Sequence, residues 1–283
     1  MSNLKMIDSE PALVLGRGKE RLLVIGDLHI GWEVTLARQG IHVPSQTFKM
    51  LQRLEGLIKK YQPRRLIMLG DVKHSVSGTE LEEWRDVPEF FERLLKLVPI
   101  VQVIVGNHDG NLEPLTPSKV ELLPSSGITI WEKYGLLHGH AWPTPKILAC
   151  DTLILGHLHP AITLRDARGY RITRPVWITA PCDPTILLRG TLKAAGISVK
   201  GDPVDVLSKK FHVKPTVTRC IFVPPFNDFL GGRPVNLKRL EDKHAGEGLG
   251  PLFRSGAVNI DAAEVHLLDG TYLGYVRQLK TFS

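Results

Sequence analysis

The chain has 283 residues, 43% hydrophobic and 23% charged, which fits one α/β unit with an appendage and excludes long disorder. Its three cysteines, Cys150, Cys182 and Cys220, are too few and too widely spaced for a disulfide framework and point to buried thiols in a reducing, cytoplasmic setting. A formal net charge of +7 favours polyanionic partners; with no signal-peptide core and no apolar run near the ~20 residues that span a bilayer, no membrane role is expected.

In chain order, residues 22–25 read as a first buried strand, short, branched and bounded by polar residues or glycine. Phe48, Leu51, Leu54, Ile58 and Tyr61 then recur at three- and four-residue spacing behind Pro44-Ser45, with Pro63 as a stop, and predict an amphipathic helix. Residues 66–69 give a second strand. Phe90, Phe91, Leu94, Leu95 and Val98 repeat the helical pattern, opened by Asp86 with Pro88 in the first turn and closed by Pro99. A third strand follows at 101–105, so the rhythm predicts a parallel sheet with right-handed crossovers.

After Asn107 the helical rhythm fades. Residues 128–131, 136–137, 152–155, 162–164, 170–173 and 176–179 read as short strands of a second, largely antiparallel sheet. From about residue 185 the signal weakens, although Asp269-Gly270 between two apolar runs predicts a two-residue hairpin turn. Residues 233–256, rich in Gly, Pro and charge, read as a long excursion: a lid, a partner-binding loop or a mobile surface segment. The basic pairs Lys59-Lys60, Arg64-Arg65 and Lys209-Lys210 read as solvated helix ends. The division expected is a catalytic core over 1–184 and a C-terminal extension over 185–283 packed on it.

Five clusters of polar residues each follow an apolar run: Asp27-Leu28-His29, Gly70-Asp71-Val72-Lys73-His74, Gly106-Asn107-His108-Asp109, His138-Gly139-His140 and Gly156-His157-Leu158-His159. This predicts one ligand set at the carboxyl edge of one sheet. Alone, each cluster is bland, a turn or a hydrogen-bonded core histidine. Together they hold seven of the chain's eleven histidines, and chance does not gather them in order at strand ends. Carboxylate, amide and imidazole without thiolate suit two divalent ions, Mn²⁺ first, with Fe²⁺, Co²⁺, Ni²⁺ or Zn²⁺ as alternatives. Asp71 is the candidate bridge, since a carboxylate offers two oxygens. Such a pair supports hydrolysis of a phosphoester. His108, beside Asn107, is then the candidate general acid, with Asp109 placed to orient its imidazole.

The ordered pattern Asp-x-His, Gly-Asp-x-x-His, Gly-Asn-His-Asp, His and Gly-His-x-His over residues 27–159 resembles the calcineurin-like metallophosphoesterases. The resemblance implies an α/β fold, a four-layer α-β-β-α sandwich, here with a C-terminal extension. It implies one metal held by Asp27, His29, Asp71 and His159, and a second by Asp71, Asn107, His138 and His157. His74 stands where many relatives carry an acid, so it is expected behind the ligands or facing substrate. His140 either lines the pocket or packs. Asp27-Leu28-His29-Ile30-Gly31, the run Arg38-Gln39-Gly40-Ile41 with Val43-Pro44, and residues 225–232 resemble the ligase-associated DNA-damage-response phosphoesterases and their archaeal relatives. That implies a phosphodiesterase, a nuclease on single-stranded nucleic acid in DNA repair, with a repair helicase or ligase as partner. The alternatives are a small-molecule phosphatase and a non-catalytic scaffold, the latter marked by loss of the acid histidine, whereas Gly106-Asn107-His108-Asp109 is intact.

Overall fold

The computed structural model describes residues 2–166, 168–237 and 249–280. The first sheet opens with an antiparallel meander, β1 (Ser2–Met6), β2 (Leu13–Arg17) and β3 (Glu20–Ile25), turned between β2 and β3 by Gly18-Lys19 with Gly18 at φ 61°. Helices α1 (Trp32–Arg38) and α2 (Thr47–Tyr61) lead to β4 (Arg65–Met68), and α3 (Leu81–Leu95) leads to β5 (Ile100–Ile104) and β6 (Val120–Leu123). Strands β3 to β6 are parallel, in chain order.

The second sheet takes β7 (Ile128–Ile130), β8 (Tyr134–Leu137), β9 (Thr152–Leu155), β10 (Pro160–Arg165) and β11 (Arg171–Pro181). After α4 (Pro184–Ala194) and α5 (Pro203–Phe211) come β12 (Arg219–Phe222) and β13 (Arg233–Pro234). The chain closes with α6 (Pro251–Arg254), β14 (Glu264–Leu267), β15 (Tyr272–Tyr275) and α7 (Val276–Leu279). The order is β13-β10-β11-β12-β9-β8-β7, with β14 on β11 and β15 on β14. Because β8, β9 and β12 run parallel, this sheet is mixed rather than largely antiparallel.

Residues 22–25 of β3 are all buried and face two cores alternately, as a strand between two layers requires. Leu23 and Ile25 face a core beneath α2 and α3 with Leu54, Phe90 and Phe91. Leu22 and Val24 face the second sheet, meeting Leu136, Ile154, Trp177 and Ile221. A third core lies on the far side, where Leu153, Leu155 and Ile178 pack against Leu187, Leu188 and Leu192 of α4 and Leu207 of α5. Each such leucine contributes about 1.5–3 kcal/mol by leaving water. The result is an α/β fold of two mixed sheets, consistent with the sandwich that the resemblance implies.

Three sequence expectations change. Helix α3 starts at Leu81, not near Asp86: the Glu83 carboxylate accepts the Glu80 amide at 2.9 Å and organises an earlier first turn. Leu81 and Trp84 are 83% and 50% exposed, so the apolar stripe that revealed the helix is missing there, and Pro88 lies inside it. Residues 171–173 and 176–179 belong to one strand, β11, which carries Pro175 opposite Ala161, and Tyr170 lies just before it. The Asp269-Gly270 turn closes with Leu267 donating to Thr271, leaving a three-residue loop with Gly270 at φ 84°. Of the 233–256 excursion, β13 and α6 are in place, and residues 238–248 lie outside the described residues.

Candidate metal centre

The five clusters leave the carboxyl ends of β3, β4 and β5 in the first sheet and of β8 and β9 in the second. The expectation of one sheet edge is thereby corrected: two sheet edges meet. The β3–β4 pairing runs on into the loops through Asp27 N–H to Gly70 C=O (3.1 Å), His29 to Asp71 (2.9 Å) and Ile30 to Val72 (2.8 Å). Across the seam, the His157 amide donates to both Asp27 carboxylate oxygens at 3.1 Å.

Asp27, His29, Asp71, His157 and His159 all have positive φ, between 45° and 66°. Side chains other than glycine's avoid this region, and strain gathered on five polar residues at one place is a mark of a functional site. Glycine is required beside them. At Gly70 (φ 88°) an added Cβ would lie 2.7 Å from His138 Nδ1, and one at Gly106 would collide with the Asp71 carboxylate.

Two groups of side chains have converging donor atoms within 4.8 Å: Asp27, His29, Asp71 and His159, and Asp71, His138 and His157. Asp71 is common to both. Its Oδ2 lies 3.4 Å from His29 Nε2 and 3.3 Å from His138 Nε2. His159 Nε2 lies 3.3 Å from His29 Nε2 and 3.2 Å from Asp27 Oδ1, while Asn107 Oδ1 lies 3.1 Å from His138 Nε2. His138 Nδ1 bonds the Leu69 carbonyl at 2.5 Å, so its Nε2 is the atom presented inward. Imidazole nitrogens and carboxylates aimed at one another in a buried space suit cations, and the donor set fits two divalent ions.

The charges follow from this crowding. Burial alone would raise the Asp27 and Asp71 carboxyls, but His159 beside the first and His138 beside the second hold both below the usual range. Burial takes His29 down to about 3 and His157 to about 4, so both are neutral at ordinary pH. His138 goes the other way: burial opposes its charge, but the adjacent Asp71 carboxylate raises it to about 9. In the metal-free protein this proton balances Asp71.

His108 is half-buried, and its Nδ1 bonds the main-chain carbonyl of His74. Asp109 does not orient it. The Asp109 carboxylate is buried and accepts main-chain amides: Asp71 and Gly106 on Oδ2, both at 2.8 Å, and Val72 (2.8 Å) and Lys73 (3.4 Å) on Oδ1. It therefore clamps the second and third clusters together, a correction to its expected role. His74 Nδ1 lies 3.2 Å from His29 Nδ1, behind the inward nitrogen of His29, and His29, His74 and His108 form a further group of convergent imidazoles. His140 is set apart, its ring 5.2 Å from that of His138 and its Nδ1 buried without a hydrogen-bond partner among the described residues.

Sequence reading missed the supports of this centre. The Glu83 carboxylate accepts the amides of His74 (2.9 Å) and Ser75 (2.7 Å), and Lys73, fully buried, donates to the carbonyls of Ser75 and Gly78. Asn227 donates to the Leu28 carbonyl at 2.9 Å and Phe226 N–H to Gly26, so residues 225–232 dock behind the first cluster. The signal for Glu83 was its place three residues after Glu80.

A search among curated proteins finds no match to the chain. Among solved structures it is similar to nuclease MPE of Pseudomonas putida at 18% identity and a TM-score of 0.49, covering 96% of this chain and 100% of that one. It is also similar to the E. coli phosphoesterase Yfce at 19% identity and a TM-score of 0.34, covering 52% and 74%. The family profile described as calcineurin-like phosphoesterase matches residues 20–235, from β3 to the end of β13 and across all five clusters, and the chain belongs to that family.

Proposed function

We propose that this chain is a metal-dependent phosphodiesterase, and the observation that carries the reading is the position of Asp71 Oδ2 between His29 and His138. Asp27, His29 and His159 would hold one divalent ion, Asn107, His138 and His157 the other, with Asp71 available to both. Bound there, two ions supply Lewis-acid polarisation of a phosphoryl oxygen and a water acidic enough to attack it. The residues do the rest. His108 gives the leaving oxygen its proton, with Nδ1 fixed on the His74 carbonyl and Nε2 left for substrate. His74 backs His29, Asp109 keeps Asp71 in place through the loop amides, and His140 lines the pocket.

Mn²⁺ is the metal we assign, in keeping with a mixed oxygen and imidazole donor set that has no thiolate. The substrate we assign is a nucleic-acid phosphodiester, with DNA repair as the setting and a helicase or ligase as partner. The net charge of +7 and the subgroup motifs support it. Buried, free cysteines suit a reducing cytoplasm, and no helix among the described residues is long and apolar enough to cross a membrane. Residues 1–184 form the catalytic core in this reading, and the extension over 185–283 completes it by adding β12 between β9 and β11.

The test is metal-stripped protein reloaded with Mn²⁺ and assayed on bis-p-nitrophenyl phosphate and p-nitrophenyl phosphate. Metal-requiring turnover that favours the diester is expected. Monoester preference would make the chain a phosphatase, and no turnover with both sites filled would favour the scaffold.

A further inference from the structure

The hairpin of β10 and β11 carries a charge arrangement that the metal centre does not use. Arg165, Arg168, Arg171 and Arg174 fall within ten residues that contain one acid, Asp166. Asp166 is committed elsewhere, its Oδ1 accepting the amides of Arg168 (2.8 Å) and Tyr170 (2.9 Å) to shape the turn. All four arginines are exposed, and among the described residues none of their guanidinium groups has a hydrogen-bond or ion-pair partner. Arg165 stands directly opposite Arg171 in the strand register. Like charges facing each other across a hairpin are destabilising unless an anion lies over them.

Two further features point to the anion. Tyr170 and Ile172 are 69% and 45% exposed, interleaved with the arginines, so a flat aromatic face is offered beside the positive charge. β10 begins at Pro160, immediately after His159, and its six residues carry the chain ~20 Å to Arg165. A polymer whose reacting phosphate sat at the metal centre could follow this strand for several nucleotides, within the site sizes usual for single-strand binding. An acidic protein surface would use the arginines but not the stacking face.

We propose that this hairpin is a docking arm for single-stranded nucleic acid, with Arg165, Arg168, Arg171 and Arg174 on the phosphates and Tyr170 stacked on a base. The substrate class rests on the phosphodiesterase reading; the arm itself does not require catalysis. Fluorescence anisotropy with a labelled oligothymidylate, run in EDTA so that nothing is cleaved, isolates it. The full chain and three variants are compared: Arg165, Arg168, Arg171 and Arg174 changed together to Gln, the same four changed to Lys, and Tyr170→Ser.

The glutamine variant should bind more than about 10-fold more weakly at low salt, with the log affinity against log salt slope flatter by about 3, since each phosphate lost from a single strand removes ~0.7. The lysine variant should stay within a few-fold of the parent, and Tyr170→Ser should lose about 5-fold or more. Unchanged binding and slope in the glutamine variant would overturn the arm. Undiminished binding by Tyr170→Ser, with displacement of the oligonucleotide by poly-aspartate at equal charge, would make it a surface for acidic protein and overturn the nucleic-acid assignment. Failure of the parent to hydrolyse bis-p-nitrophenyl phosphate would count against the phosphodiesterase reading and leave the anisotropy result standing.

Discussion

The imidazole of His108 is held through Nδ1 by the main-chain carbonyl of His74. A carbonyl accepts only, so Nδ1 carries a hydrogen in either charge state and Nε2 is the nitrogen that gains or gives the catalytic proton. His108→Asn is expected to keep two ions per chain and to lose about 10²–10⁴-fold in turnover. Metal analysis beside kcat checks this, and unchanged turnover would remove His108 from proton transfer.

Glu83 reaches the same imidazole at one remove, since it fixes the amides of His74 and Ser75. Glu83→Ala leaves those amides unsatisfied, so a loss of about 1–3 kcal/mol in stability is expected. It also frees the His74 carbonyl to shift, so kcat should fall with metal stoichiometry intact. Thermal melts and steady-state kinetics separate the two effects.

Asp109→Ala should act differently. It removes the acceptor for four amides in two clusters, and the loops carrying Asp71 and Asn107 lose their common clamp. Weaker metal binding, alongside a stability loss of about 1–3 kcal/mol or more, is the expected outcome, read by metal titration. A variant with parental metal affinity and only slower turnover would return Asp109 to the role of orienting His108.

The His138–Asp71 pair sets a pH signature for the metal-free protein. The raised His138 value means its contribution to stability is full below the ordinary 6.5 and is lost as pH rises through about 9. The lowered Asp71 value means its contribution is present above the ordinary 3.8 and is lost as pH falls toward its own depressed value. Melting of the metal-free protein should therefore fall between pH 6.5 and 9, whereas metal-loaded protein should not show this loss. Metal uptake at pH 7 must also displace the His138 proton, because a ligand nitrogen has to be neutral. Calorimetry in buffers of differing ionisation enthalpy should find about one proton released per chain, declining above pH 9. No release at pH 7 would contradict His138 as a ligand.

The sequence carried the parts of this molecule that depend on short-range pattern. Leu22 to Ile25 alternated between two cores, and each ligand cluster followed a strand, because strand period and strand-end loops are local features. The pairing of β9 with a strand from beyond residue 185 was hidden, since nothing in Arg219–Phe222 marks which neighbours it takes. Asp109 was misjudged for a related reason: adjacency to His108 is visible in the chain, but the four amides it serves come together only when β4 and β5 are side by side. Asn227 reaches Leu28 across the fold and Glu83 serves the nearby amides of His74 and Ser75, and neither carries a ligand-like spacing.

Sharing of Asp71 by two ions is tested by electron paramagnetic resonance of the Mn²⁺-loaded protein, with Mn²⁺ stoichiometry determined on the same sample, for the parent chain and for Asp71→Ala. Two ions and an exchange-coupled pair are expected in the parent, with the coupling abolished and at least one ion lost in the variant. A coupled pair that survives in Asp71→Ala, or isolated ions in the parent, would contradict that sharing.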